Sequence, residues 1–173
     1  MKDSAYRLKC DRLSEQLRSD SVDIRIEKAT SNLFRTRSQP SGAKLDVRSL
    51  NQVISVDSER QLVEVEGMTT YADLTEACLA QNCMPVVVPQ LKSITIGGAI
   101  SGIGIESTSF RYGLPHETVK RMEVLLSNGD IVDCSPDNEH ADLFFGMPNS
   151  YGTLGYITKL EAGTLPVKPY VEL

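Results

Sequence analysis

Apolar positions recur at helical spacing near the start of the chain: Tyr6, Leu8, Cys10, Leu13 and Leu17 stand among charges and predict an amphipathic helix over Ala5–Arg18, packed on the domain body. Val22–Ile26 alternates apolar and charged as VDIRI, the pattern of a half-buried strand, and leads into a polar loop, ATSNLFRTR, at residues 29–37. Leu45–Val47 reads as a short strand. Val53–Val56 and Gln61–Val65 flank Asp57, Ser58, Glu59 and Arg60 as a hairpin. Thr70 is placed to cap a helix through Tyr71, Leu74, Ala77, Cys78 and Leu79, with Asp73 three residues into it. Pro85–Val88 reads as a buried strand between prolines. Val119–Leu126 and Ile131–Cys134 flank Ser127-Asn128-Gly129-Asp130, a strong hairpin signal. Asp137–Phe145 reads as a short helix, and residues 157–165 alternate with period two. The pattern predicts an α+β chain of two α/β subdomains, about 1–88 and 89–173, meeting near Pro89 with a ligand between them.

The stretch Ile94–Gly113, ITIGGAISGIGIESTSFRYG, carries no such periodicity. Gly97, Gly98, Gly102 and Gly104 stand beside Thr95, Ser101, Ser107 and Ser109. Glycines at this density let backbone approach a ligand, and a helix opening behind Gly98 would turn N–H groups and its dipole toward an anion. A phosphate or diphosphate is the guest this implies; a glycine-rich tight connection in a sheet is the alternative. GxxxxGKS is absent and Gly102-Ile103-Gly104 fails GxGxxG, so neither a P-loop nor a Rossmann dinucleotide fold is indicated.

A chain of 173 residues with 40% hydrophobic and 24% charged positions can bury a substantial core, and a net charge of −5 without a basic cluster argues against nucleic-acid binding. No apolar run approaches the roughly 20 residues of a membrane span, and the N-terminus lacks the apolar centre of a signal peptide. Cys10, Cys78, Cys83 and Cys134 form no CxxC pair and the two histidines are isolated, so no metal site is expected. Reduced thiols in a cytoplasmic protein are the plain interpretation.

Three segments change the functional picture: PVVVPQLKSITIGGAISGIGIESTSFRYGLPHETV, then MEVLLSNGDIVDC, then DLFFGMPNSYGTLGYITKLEAGTLPV. In this order and spacing they resemble the FAD-binding domain of the vanillyl-alcohol oxidase and p-cresol methylhydroxylase (PCMH-type) class. Within it they are most similar to the Δ24-sterol reductase family, from about Leu45 to Leu173. The resemblance implies a PCMH-type fold with the dinucleotide between its two subdomains. It places FAD contacts at Thr95, Ile96, Gly97, Gly98, Ala99, Ser101, Gly102, Gly104, Ile105, Glu106 and Ser107. Gly97 and Gly98 would offer backbone donors to the diphosphate, Ser101 and Ser107 hydroxyls, and Gly102 and Gly104 proximity to the ribityl chain or ring. Pro89, Gln90 and Leu91 precede this segment where the class passes the flavin. Gly155, Tyr156 and Ile157 match the segment that meets the adenosine half through backbone atoms. In the first loop Thr30, Ser31 and Asn32 stand where the class is glycine-rich, and Arg35 and Arg37 face either a diphosphate or solvent.

Neither residues 29–38 nor residues 92–110 contain a histidine or cysteine for covalent attachment, so the FAD is expected to be non-covalent. His116 faces either the flavin edge or a structural role, His140 reads as solvated, and Glu106 bonds either the cofactor or its own loop. The implied activity is that of a flavin-dependent oxidoreductase reducing a double bond in a sterol-like substrate, with no catalytic residue assigned. The class adds a cap domain that supplies the pocket for a small hydrophobic substrate. No segment here is left over to form it, which predicts a longer native protein or a partner chain, and no sterol turnover by these residues alone. The rival reading is a non-catalytic nucleotide-binding or assembly module that kept the fold.

Overall fold

The computed structural model describes residues 2–19, 24–27, 42–168 and 170. The first loop, with Thr30, Ser31, Asn32, Arg35 and Arg37, lies outside these described residues, as does Val22.

The axis of the main sheet is β8 (Tyr156–Pro166). One edge pairs antiparallel with β4 (Leu62–Glu66) and the other with β6 (Val119–Leu125). β3 (Val53–Asp57) and β7 (Ile131–Cys134) extend the two sides, and β5 (Cys83–Pro85) pairs with the far end of β8. The result is a six-stranded antiparallel sheet; β1 (Ile24–Glu27) and β2 (Ala43–Asp46) form a separate parallel pair. Both predicted hairpins form. Val53 pairs with Val65, and Leu125 pairs with Ile131 across a turn in which Gly129 adopts φ +83°.

Strand pairing crosses the junction expected near Pro89, because β3 and β4 precede it yet share a sheet with β6, β7 and β8. The hydrophobic clusters divide the chain differently. One gathers Val63, Val65, Leu74, Cys78, Ile100, Met122, Val124, Phe144 and Leu160, from the sheet and from α2 (Tyr71–Leu79), α3 (Ile96–Gly102) and α5 (Ala141–Gly146). The other joins Tyr6, Cys10 and Leu13 of α1 (Lys2–Ser19) to Leu45, Val47, Leu50, Met68 and Leu125.

α1 buries Tyr6, Cys10 and Leu13, which share one face at spacings of four and three, while Leu8 falls opposite and is 70% exposed. The helix is also held by charge. Val63 and Val65 face the first cluster, so the alternating Glu64 and Glu66 face the other way, where Glu64 meets Lys159 at 3.0 Å and Glu66 meets Lys9. Lys9 Nζ donates to both carboxylate oxygens of the buried Glu66 at 2.8 Å, and the Gln52 N–H adds a third bond at 2.9 Å. Tyr6 Oη lies 2.8 Å from both Glu123 Oε2 and Thr158 Oγ1. Thr158 is the extra residue of a bulge where the β6–β8 register shifts, and such a residue re-aims its side chain out of the ladder.

Three expected elements are displaced. The strand expected at Pro85–Val88 runs instead over Cys83–Pro85, entered from a turn with Asn82 at φ +56° and left at a proline, which donates no N–H. The helix expected from Asp137 begins at Ala141. Asn138 first closes a turn, accepting from the Ser135 and His140 N–H groups and donating to the Asp133 carbonyl. The strand expected at Leu45–Val47 lies at Ala43–Asp46.

Candidate functional site

The glycine stretch folds as α3 followed by a loop. Thr95 caps α3 with extended backbone, and its hydroxyl accepts the Gly98 N–H at 3.3 Å. The Ile96 N–H donates to the Thr69 carbonyl at 3.0 Å and the Gly97 N–H to the Gly67 carbonyl at 2.9 Å. The first three donors of the helix are therefore engaged inside the protein. The expectation that Gly97 and Gly98 offer free donors to a diphosphate is corrected by this geometry.

The two glycines have different reasons to be glycine. Gly97 is buried, and a Cβ there would stand 2.7 Å from the Gly67 carbonyl oxygen. Gly98 is exposed, and among the described residues a Cβ there would meet only the Thr95 hydroxyl, at 2.8 Å. Gly98 is thus the point where α3 leaves its backbone open to an approaching group. Gly67 was not singled out in the sequence, yet it joins the parts: its carbonyl holds α3, its N–H donates to the Thr158 carbonyl at 2.9 Å, and a Cβ would stand 2.0 Å from the Ile157 carbonyl oxygen. The available signal was a single glycine between a strand and a capped helix, in Glu66-Gly67-Met68-Thr69-Thr70.

Beyond α3 the chain turns through Ile103 at φ +52°, an uncommon conformation for a β-branched residue. Gly104 packs on the Pro115 ring, with 3.2 Å from its would-be Cβ to Pro115 Cγ. Gly102 lies against Tyr151, whose N–H donates to the Ser101 carbonyl at 3.0 Å. Glu106 serves its loop: its carboxylate accepts the Gln90 N–H at 3.2 Å and its own N–H donates to Ser109 Oγ at 3.0 Å. Pro89, Gln90 and Leu91 are thereby fastened to the glycine loop. Pro89 is buried, while Gln90, Ile105 and Ser107 are exposed and Ser101 is half-buried. Leu91, Ile103, Ile105, Phe110, Tyr151 and Leu154 leave apolar surface exposed along the segments around the C-terminal end of α3.

The third expected segment joins through Gly67. Gly155, at φ +152°, passes β6 where a Cβ would meet Val124 Cγ1 at 2.6 Å. Tyr156 and Ile157 then pair with Leu125 and Val124 in the ladder, and the Ile157 side chain is buried in the first core. The Tyr156 hydroxyl is shielded from solvent and has no hydrogen-bond partner among the described residues. His116 is half-buried in a 3-10 turn (Pro115–Thr118) with its Nδ1 unpartnered, whereas His140 sits in a turn with Nε2 3.8 Å from a Glu139 oxygen. Among the described residues no three metal-ligating side chains converge, and no helix is long and apolar enough to cross a membrane. A cleft of about 470 Å³ lies beside α2, lined by Tyr71, Ala72, Thr75, Glu76, Leu79, Val88 and Lys92, none of them among the expected contacts.

A capped helix seated on the sheet, a glycine loop and a strand start are joined through one glycine in an α+β domain. Residues 11–135 match the FAD binding domain family, and the chain belongs to it. The Δ24-sterol reductase of Pisum sativum is 35% identical over 130 residues, covering 75% of this chain and 23% of that protein. The human Δ24-sterol reductase is 38% identical over 125 residues, covering 72% and 24%. Cytokinin dehydrogenase 7 of Oryza sativa subsp. japonica is 31% identical over 131 residues, covering 73% and 25%. The chain therefore spans about a quarter of the length of these curated relatives. The crystal structure of 6-hydroxy-D-nicotine oxidase from Arthrobacter nicotinovorans superposes with a TM-score of 0.80 at 18% identity, covering 91% of this chain and 35% of that one, which establishes the PCMH-type fold.

Proposed function

We infer that this chain is the FAD-binding part of a flavin-dependent oxidoreductase that reduces a carbon–carbon double bond in a sterol-like substrate. The observation that carries the reading is the fixed arrangement around α3, in which Gly67 ties the helix to β8 and Gly98 is exposed. The residues fit FAD at two places: the exposed, side-chain-free backbone at Gly98, and the exposed apolar side chains Leu91, Ile105 and Phe110, which suit a flat ring or a covering domain. On this reading the cofactor runs along α3 and the loop that follows it. Thr95, Gly98, Ser101 and Ser107 flank its diphosphate side; Gly102, Gly104 and Ile105 stand toward the ring; Gly155, Tyr156 and Ile157 stand toward the adenosine. Binding is non-covalent, supported by the lack of a histidine or cysteine at residues 29–38 and 92–110.

FAD, when bound, accepts and returns an electron pair or hydride. The chain's own contribution is to hold it in place. Glu106 keeps the 89–91 segment against the glycine loop, and the 103–107 turn fixes the apolar surface on which ring and substrate would meet. Substrate positioning and exclusion of water need further protein over that surface, consistent with the quarter of the relatives' length that this chain spans. The four cysteines are buried and unbridged, which supports a reducing, cytoplasmic setting for this domain.

A chimera tests the activity. This chain replaces the matching quarter of the human relative, and the product is assayed for FAD content and for reduction of a Δ24 sterol with a nicotinamide donor. The expected result is a yellow protein that reduces the sterol. A chimera that holds FAD and reduces no sterol contradicts the sterol-reductase part of the reading.

A further inference from the structure

The N-terminal end of α3 rests on a short turn. The Glu66 carbonyl accepts the Thr69 N–H at 3.0 Å, and the turn so closed presents the Gly67 and Thr69 carbonyls to the Gly97 and Ile96 N–H groups. Two backbone bonds hold the turn from outside: Gly67 N–H to the Thr158 carbonyl at 2.9 Å and Met68 N–H to the Leu50 carbonyl at 2.7 Å. A third hold is a side chain. The Glu66 carboxylate, 1% exposed, accepts Lys9 Nζ at 2.8 Å on both oxygens and the Gln52 N–H at 2.9 Å, while the Glu66 N–H returns to the Gln52 carbonyl at 2.9 Å. A buried ion pair stabilises a fold no better than a well-packed apolar pair, and what charge-assisted bonds add is a fixed geometry.

That geometry is passed on without slack. A Cβ at Gly67 would stand 2.0 Å from the Ile157 carbonyl oxygen and one at Gly97 2.7 Å from the Gly67 carbonyl oxygen, so β8, the turn and α3 are in direct backbone contact. A shift of the turn therefore shifts the helix, and Gly98 is its third residue. Lys9 and Glu66 touch no ligand, since α1 packs in the second core and α3 in the first, on opposite faces of the sheet. We propose that the Lys9–Glu66 pair is a positioning device for the cofactor helix: from α1 it fixes the 66–69 turn, and through the turn the placement of α3 and of Gly98 against FAD. The proposal rests on the FAD reading above.

The test compares the wild-type chain, Lys9→Arg, and Lys9→Met combined with Glu66→Leu, by calorimetric titration with FAD, urea unfolding, and amide hydrogen exchange resolved at Ile96 and Gly97. Lys9→Arg keeps the charge and is expected to bind FAD within about twofold of wild type. In the double variant an apolar pair restores stability, but the Gln52 N–H has lost its acceptor and the turn one of its holds. Exchange at Ile96 and Gly97 is expected to be about tenfold faster than in wild type, with β7 unchanged. FAD binding is expected to be weakened about fivefold or more. A double variant of wild-type stability whose FAD affinity and exchange at these two amides are also within about twofold of wild type overturns the proposal, because the pair then serves only the fold. Exchange raised equally in β7 overturns it too, as does weakened binding with no change at Ile96 and Gly97. Wild type that takes up no FAD refutes the FAD reading, whereas unchanged exchange at the two amides refutes the coupling between α1 and α3 whether or not FAD binds.

Discussion

Gly97 and Gly98 are adjacent and identical in the sequence, yet the structure gives them opposite sensitivities. At Gly97 an added methyl would stand 2.7 Å from the Gly67 carbonyl oxygen and 3.3 Å from both Gly67 C and Gly67 Cα. Those are backbone atoms, themselves fixed by the Gly67 N–H bond to Thr158, so the strain cannot be relieved by rotating a side chain. α3 must lift, stretching the Gly97 N–H bond to Gly67 and the Ile96 N–H bond to Thr69. Overpacking of this kind costs about 1–3 kcal/mol. For a chain of this size that lowers Tm by roughly 2–4 °C per kcal/mol. At Gly98 the only neighbour among the described residues is the Thr95 hydroxyl, at 2.8 Å, which can turn away. Losing that cap costs about 1 kcal/mol, and replacing a helical glycine by alanine returns up to about 1 kcal/mol. Gly97→Ala is therefore expected to be clearly destabilised and Gly98→Ala close to neutral, by urea and thermal unfolding of the ligand-free proteins followed by circular dichroism. Equal stability of the two variants, within about 0.5 kcal/mol, refutes the packing argument.

Gly98→Val is expected to keep far-ultraviolet circular dichroism close to the parent while abolishing FAD binding, because a branched side chain fills the open approach to α3; affinity within about threefold of the parent would place the site elsewhere. Lys9→Met leaves the 1% exposed Glu66 carboxylate without its cation and is expected to destabilise by about 3 kcal/mol, whereas Lys9→Met with Glu66→Leu recovers most of the loss; additive losses in urea unfolding would count against a coupled pair. Burial first, and Asp133 second, push the Cys134 thiol up to about 11, and burial with Cys83 raises Cys78. Folding therefore favours the neutral thiols: their contribution is fully present below the ordinary thiol pKa of about 8.5 and is lost as pH rises through about 11. Alkylation at pH 8.5 should be slow in the native protein and fast in urea, and equal rates would contradict the burial.

Much of this was legible because it is local. Thr70 caps α2 through the Asp73 N–H, and Asn128-Gly129 turns β6 into β7, as side-chain chemistry within a few residues dictates. Glycine density and the resemblance both pointed to residues 95–107 as one unit, and the structure folds that stretch as a capped helix followed by a loop. What was not legible is pairwise and distant. Nothing near Gly97 in the chain reveals that its N–H is taken by Gly67, or that Gly67 fits only because Ile157 crosses it. The periodicity of α1 was readable, but Leu8 belongs to the solvent face because Tyr6 and Cys10 set the buried one. The division expected near Pro89 followed the order of elements, whereas β8 returns from the end of the chain to pair with β4 and so joins the halves.

The central claim is that this chain holds FAD without a covalent bond. Purified protein is incubated with FAD and passed through a desalting column, its flavin absorbance bands are recorded, and the sample is then precipitated with acid. The account predicts a yellow protein carrying close to one FAD per chain, with all the colour released to the supernatant. A colourless protein that takes up no FAD contradicts the binding site, and flavin retained in the pellet contradicts non-covalent attachment.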